Sequence, residues 1–93
     1  MLWVPMTSGL VSSTGTFTTS SGVFGGAAIV ADGTNEVTVT VRETDASGQI
    51  VFQHKTKQSV PFLGAFRGEG SINTFYYSVS GTGGEAMFYE YQR

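Results

Sequence analysis

Apolar and polar positions alternate with period two along most of the chain, and no window carries the i, i+3, i+4, i+7 stripe of an amphipathic helix. Between residues 36 and 43, Val37, Val39 and Val41 share one face and Thr38, Thr40 and Arg42 the other. β-Branched residues at every central position make this a half-buried strand. Asp45-Ala46-Ser47-Gly48 reads as a turn, after which Ile50, Phe52 and His54 alternate with Val51, Gln53 and Lys55. The two segments are expected to pair as a hairpin. Upstream, an apolar run over residues 23–31 is broken by Gly25-Gly26 and closed by the turn Asp32-Gly33-Thr34-Asn35. Val60-Pro61-Phe62-Leu63 predicts an edge strand or a strand start, because Pro61 cannot donate to a ladder, and residues 64–70 read as a loop. In residues 7–22 only Leu10, Val11 and Phe17 are apolar and all others are Gly, Ser or Thr, which predicts an extended arm or irregular edge strands. The pattern predicts an all-β chain, an antiparallel β-sandwich or jelly-roll-like barrel of about six to eight short strands. It divides into an apolar, Ser/Thr/Gly-rich N-terminal arm over residues 1–22 and a β-sandwich domain over residues 23–93.

The C-terminal segment concentrates the aromatic residues. With Gly81-Thr82-Gly83-Gly84 taken as a four-residue loop, Ser80 faces Glu85, and counting outward pairs Val79 with Ala86, Tyr77 with Phe88 and Phe75 with Glu90. Alternation places Phe75, Tyr77, Val79, Ala86 and Phe88 on one face, the expected core face. The opposite face holds Tyr76, Ser78, Met87, Tyr89 and Tyr91. Tyr and Met are the side chains enriched where proteins meet, and Tyr joins a rigid apolar body to a hydroxyl. Tyr76, Met87, Tyr89 and Tyr91 are therefore the candidate contact residues. Trp3 joins them as an apolar anchor in the N-terminal segment, with a first edge strand lying on the chain's own sandwich as the alternative for that segment.

Composition narrows the function further. The 93 residues include no Cys, so neither a disulfide nor a thiolate metal site can form. Five Lys and Arg against seven Asp and Glu give a net charge of −2 without a basic stripe, which argues against nucleic acid as a partner. Charged residues make up 13% of the chain, about half the usual share, and a surface so poor in charge favours assembly. Residues 1–6 lack a basic n-region and a long apolar h-region, so no signal peptide is expected, and no apolar run is long enough for a membrane helix.

No constellation of residues carries an evident chemistry. His54 is the only imidazole, so a multi-His metal site is excluded and a Ser-His-Asp arrangement would rest on that one side chain. The Asp32-Gly33-Thr34-Asn35-Glu36 segment offers oxygens to a calcium ion, but without the ligand order of a calcium loop; a tight turn explains it better. The glycine-rich pieces at 64–70 and 81–84 do not lie between a strand and a helix, as phosphate loops do. Glu69 and Glu85 have no spacing that would pair them. No catalytic, cofactor-binding or metal-binding residue is assigned, and an enzyme is not expected.

Glu36-Val-Thr-Val-Thr-Val41, Gly48-Gln-Ile-Val-Phe52 and, above all, Phe75-Tyr-Tyr-Ser-Val-Ser-Gly-Thr-Gly-Gly-Glu-Ala-Met-Phe-Tyr89 resemble small β-sandwich virion proteins of tailed bacteriophages. The likeness spans residues 27–91 and is one of strand rhythm and a single turn phrase. It implies a non-enzymatic structural role: a capsid decoration or cement protein, or a head-associated protein, docking through the N-terminal arm and an aromatic β-face. The implied partners are the major capsid protein or a neighbouring virion protein and further copies of the chain, with a trimer expected. The implied location is the virion, after synthesis in the host bacterial cytoplasm. A receptor- or carbohydrate-binding module of a tail or head fibre is the alternative, because exposed Tyr or Trp stacks on sugar rings.

Overall fold

The computed structural model describes residues 2–19, 23–67 and 74–92. The alternating segments form eight strands, β1 (Leu2–Pro5), β2 (Thr14–Thr18), β3 (Phe24–Val30), β4 (Val37–Glu43), β5 (Ile50–Thr56), β6 (Val60–Arg67), β7 (Thr74–Ser80) and β8 (Glu85–Gln92). There is no helix among the described residues. The strands make two four-stranded sheets, the first in the order β1-β8-β3-β6 and the second β2-β7-β4-β5. Every pairing is antiparallel.

Of the consecutive strands, only β4 and β5 are neighbours in a sheet. The pairs β1/β2, β3/β4, β5/β6 and β7/β8 each cross from one sheet to the other as an arch. The four arches stack in the same sequence in both sheets, which is the strand order of a jelly roll.

The β4–β5 hairpin forms as the alternation predicted, from Val37 opposite Thr56 to Val41 opposite Phe52. Val37, Val39 and Val41 are fully buried. One correction applies to β5. Arg42 pairs with Ile50, so Val51 is an extra residue in a bulge. Val51 and Phe52 both pack against the core and Ile50 is left exposed, instead of sharing a face with Phe52 and His54. His54 keeps the expected side, half-buried opposite Val39.

The C-terminal hairpin is overturned as a pairing. β7 lies in the second sheet and β8 in the first, so no ladder joins them. The division of side chains between faces survives, because a sheet-crossing arch and a hairpin impose the same alternation on both legs. Phe75, Val79, Ala86, Phe88 and Tyr77 are all buried. Tyr77 and Phe88 meet with ring centroids 4.9 Å apart, across the interior and not along one sheet. The physical reason is coverage: a hairpin would set all five apolar side chains on one sheet face that still needed a lid, whereas an arch makes each leg cover the other. Glu90, next in the same alternation, is buried as well.

The described part of residues 7–22 behaves as edge structure. Val11 exchanges backbone hydrogen bonds with Ala86 at 2.8 Å in both directions, and β2 then runs along β7 from Thr14 opposite Ser78 to Thr18 opposite Thr74. Phe17, isolated in a polar stretch, stands at the centre of the core, 5.6 Å from both Phe75 and Phe88. β6 takes the edge position that Pro61 predicted. It continues through residues 64–67, which were expected in a loop; Glu69 lies outside the described residues.

Candidate functional site

The outer face of the first sheet carries an aromatic cluster assembled by three strands and a floor of glycine. β1 lies beside β8 in a register that sets Trp3 opposite Tyr91 and Pro5 opposite Tyr89. On the far side of β8, β3 presents Gly25 and Gly26. The ladder sets Phe24 opposite Glu90 and Gly26 opposite Tyr89, so one β3 residue is extra at this point. A Cβ on Gly25 would fall 2.6 Å from the Trp3 ring, and one on Gly26 2.9 Å from Phe62 Cζ. The rings lie on bare backbone: a side chain at Gly25 would displace the Trp3 ring, and one at Gly26 would collide with the Leu63 backbone carbonyl of β6 as well as with the Phe62 ring.

The rings also brace one another. The Trp3 centroid is 4.8 Å from Phe62 and 4.8 Å from Tyr91, and Phe62 is 5.7 Å from Tyr89 in an edge-to-face arrangement. These separations fall in the favourable range for aromatic pairs. Trp3 is 43% and Phe62 41% exposed, whereas Tyr89 and Tyr91 are half-buried beneath and beside them. Met87, half-buried, shares the face one alternation further along β8, opposite Ala28.

Of the five candidate contact residues, the structure therefore brings together Trp3, Tyr89 and Tyr91, with Met87 on the same face. It does not place Tyr76 with them. Tyr76 lies on β7, between Thr16 of β2 and Arg42 of β4, and points outward from the second sheet, on the opposite side of the sandwich. The single Tyr/Met face read from the sequence is thus two separate surfaces, because the two legs of the arch turn their outer faces in opposite directions. Phe62 is the residue the sequence reading missed. The Gly25-Gly26 pair marks a strip of bare backbone in β3, but not which side chains cover it.

The Asp32 turn is fully engaged with itself. Asp32 Oδ1 accepts from the backbone N–H groups of Thr34 and Asn35, both at 2.8 Å, and Oδ2 accepts from Asn35 Nδ2 at 2.8 Å. These donors form an Asx turn. The Asn35 and Thr34 backbone N–H groups, followed by the Asn35 side chain, hold the Asp32 carboxyl below its ordinary value of 3.8. A depressed folded-state pKa stabilises the fold above the unfolded value, and that contribution is lost as pH falls through the folded one. Acid titration of thermal stability is expected to show a loss that starts about one unit above the ordinary value of 3.8, continues below it, and is reduced in Asp32→Ala; an unchanged acid limb in that variant would remove the role of this turn. Among the described residues no group of three or more His, Cys, Asp or Glu could hold a metal ion.

No protein-family model matches this chain, and no curated protein matches it in sequence.

Proposed function

We propose that the chain is a non-enzymatic structural protein of a phage virion, a capsid decoration, cement or head-associated subunit, that docks on a capsid or neighbouring virion protein through the outer face of its first sheet. The observation that carries this reading is the exposed Trp3–Phe62 pair, held over the Gly25-Gly26 floor. Rings fixed before binding lose little freedom on contact, and buried aromatic anchors supply most of the affinity at protein interfaces. In this reading the N-terminal segment acts through Trp3, carried on an edge strand that already belongs to the first sheet.

The low charge of the chain supports an assembled state. The jelly-roll order supports it by analogy of fold alone, since viral capsid and lectin domains both use that architecture. The virion setting rests on the sequence resemblance.

The test is incorporation. Antibody to the chain should detect it in purified particles from its source. A Trp3→Ser/Phe62→Ser variant should fold, yet its incorporation should fall by about tenfold or more, the effect of losing hot-spot side chains. Full incorporation of that variant, or absence of the chain from particles, overturns the proposal. Binding of the isolated chain to a glycan array, abolished by the same substitutions, would replace it with the carbohydrate-binding alternative.

A further inference from the structure

Apart from the aromatic face, the two sheets have four edge strands among the described residues, β1, β6, β2 and β5, and they are not equally guarded. An edge strand offers unpaired N–H and C=O groups to any passing strand, and proteins blunt such edges with Pro, Lys, bulges or charge. β1 contains Pro5, which lacks an N–H. β5 carries the Val51 bulge together with Lys55. β6 contains Pro61, and its ladder with β3 is broken by two register shifts. β2 has none of these devices. It is Thr14-Gly15-Thr16-Phe17-Thr18, in unbroken register with β7. No Asp, Glu, Lys or Arg precedes Asp32 in the chain.

The direction of the free groups follows from the ladder. Val79 N–H donates to Ser13 C=O at 3.2 Å, so Ser13, Gly15 and Phe17 turn their backbone polar groups toward β7. On the other side of β7, Thr44 N–H donates to Thr74 C=O at 2.8 Å, as that alternation requires. The N–H and C=O groups of Thr14, Thr16 and Thr18 therefore point away from the sheet, and their side chains are exposed on its outer face.

We propose that two copies of this chain pair antiparallel through β2 about a two-fold axis at Thr16, joining their second sheets into one continuous sheet. The strand is suited to its own copy. With Thr16 opposite Thr16 of the partner subunit, Thr14 falls opposite Thr18 of the partner subunit, and each outward N–H meets a carbonyl. The outer face of the seam becomes a row of Thr–Thr pairs, a favourable cross-strand combination. On the inner face Gly15 lies opposite Phe17 of the partner subunit, so no two large side chains collide. The neutral edge brings no like charges together, and self-complementarity of this kind is what an isologous interface requires. The partner is therefore a second copy and not an unrelated strand.

The test is the mass of the full chain by sedimentation across a wide concentration range, together with its melting temperature. The wild-type chain should reach twice the monomer mass. Thr16→Lys sets two ammonium groups against each other on the axis and should halve that mass while leaving the melting curve of the dilute monomer unchanged. Thr16→Val, which keeps a β-branched side chain, and Thr82→Lys, which adds the same charge at an exposed turn, should both remain dimeric. A wild-type chain that stays monomeric up to millimolar concentration overturns the proposal, as does one that forms trimers or a Thr16→Lys chain that keeps the dimer mass. Because Thr16 is on the second sheet, loss of the dimer and loss of docking by the Trp3/Phe62 face are separable results.

Discussion

Phe88→Ala is expected to lower the unfolding free energy by about 3–5 kcal/mol, the usual cost of removing a buried aromatic ring. Phe88 is fully buried, and its ring lies 4.9 Å from Tyr77, 5.6 Å from Phe17 and 6.2 Å from Phe24. Those partners come from β7, β2 and β3, so this side chain ties both sheets and three arches to one point. Single domains are stable by about 0.05–0.15 kcal/mol per residue, which makes the loss a large part of the total for a chain of 93 residues. Met87→Ala, one position away on the outer face, should cost less than about 1 kcal/mol, because its side chain is only half-buried. Urea denaturation of the two variants measures the contrast directly. Equal losses would mean that β8 does not divide its side chains between core and surface.

Face division was legible from the sequence because side-chain alternation is a local property of each strand. On that ground alternation assigns Phe75, Tyr77, Val79, Ala86 and Phe88 to the core, and they are buried. Strand partnership is not local. Gly81-Thr82-Gly83-Gly84 has the composition of a hairpin loop, and nothing in the alternation distinguishes a hairpin from an arch. The choice is made by what covers the apolar faces, which depends on strands far away in sequence. The same ambiguity misplaced Tyr76: a hairpin sets it beside Tyr89, and an arch puts the thickness of the sandwich between them. β2 was hard to read for another reason. Its only large apolar residue is Phe17, so alternation had a single informative position, although Thr14, Thr16 and Thr18 keep the period. Phe62 joins the aromatic cluster because β6 and β1 flank the β3–β8 pair, a partnership that no local pattern shows.

The arch itself can be broken at one carbon. Gly81 has φ +112, a conformation that side chains rarely adopt, and a Cβ there would collide with the Glu36 carbonyl oxygen and lie 3.0 Å from Val37 Cα. The obstacle is backbone at the start of β4, which cannot swing aside as a flexible side chain would. Gly81→Ala thus combines a strained φ with a steric clash, and its expected cost is about 3 kcal/mol or more. Gly33→Ala separates the two effects. Gly33 has φ +88, but a Cβ there meets nothing within 4 Å, so only the conformational penalty of about 1–2 kcal/mol is expected. Thermal denaturation of the pair should rank Gly81→Ala well below Gly33→Ala. Similar losses at the two positions would mean that the β7–β8 connection does not lie against β4. That contact is what seats the C-terminal arch beside the β3–β4 arch in both sheets at once. Moving it displaces β8, and with β8 go both the Phe88 ring in the core and the Tyr89 and Tyr91 rings on which Trp3 and Phe62 are braced.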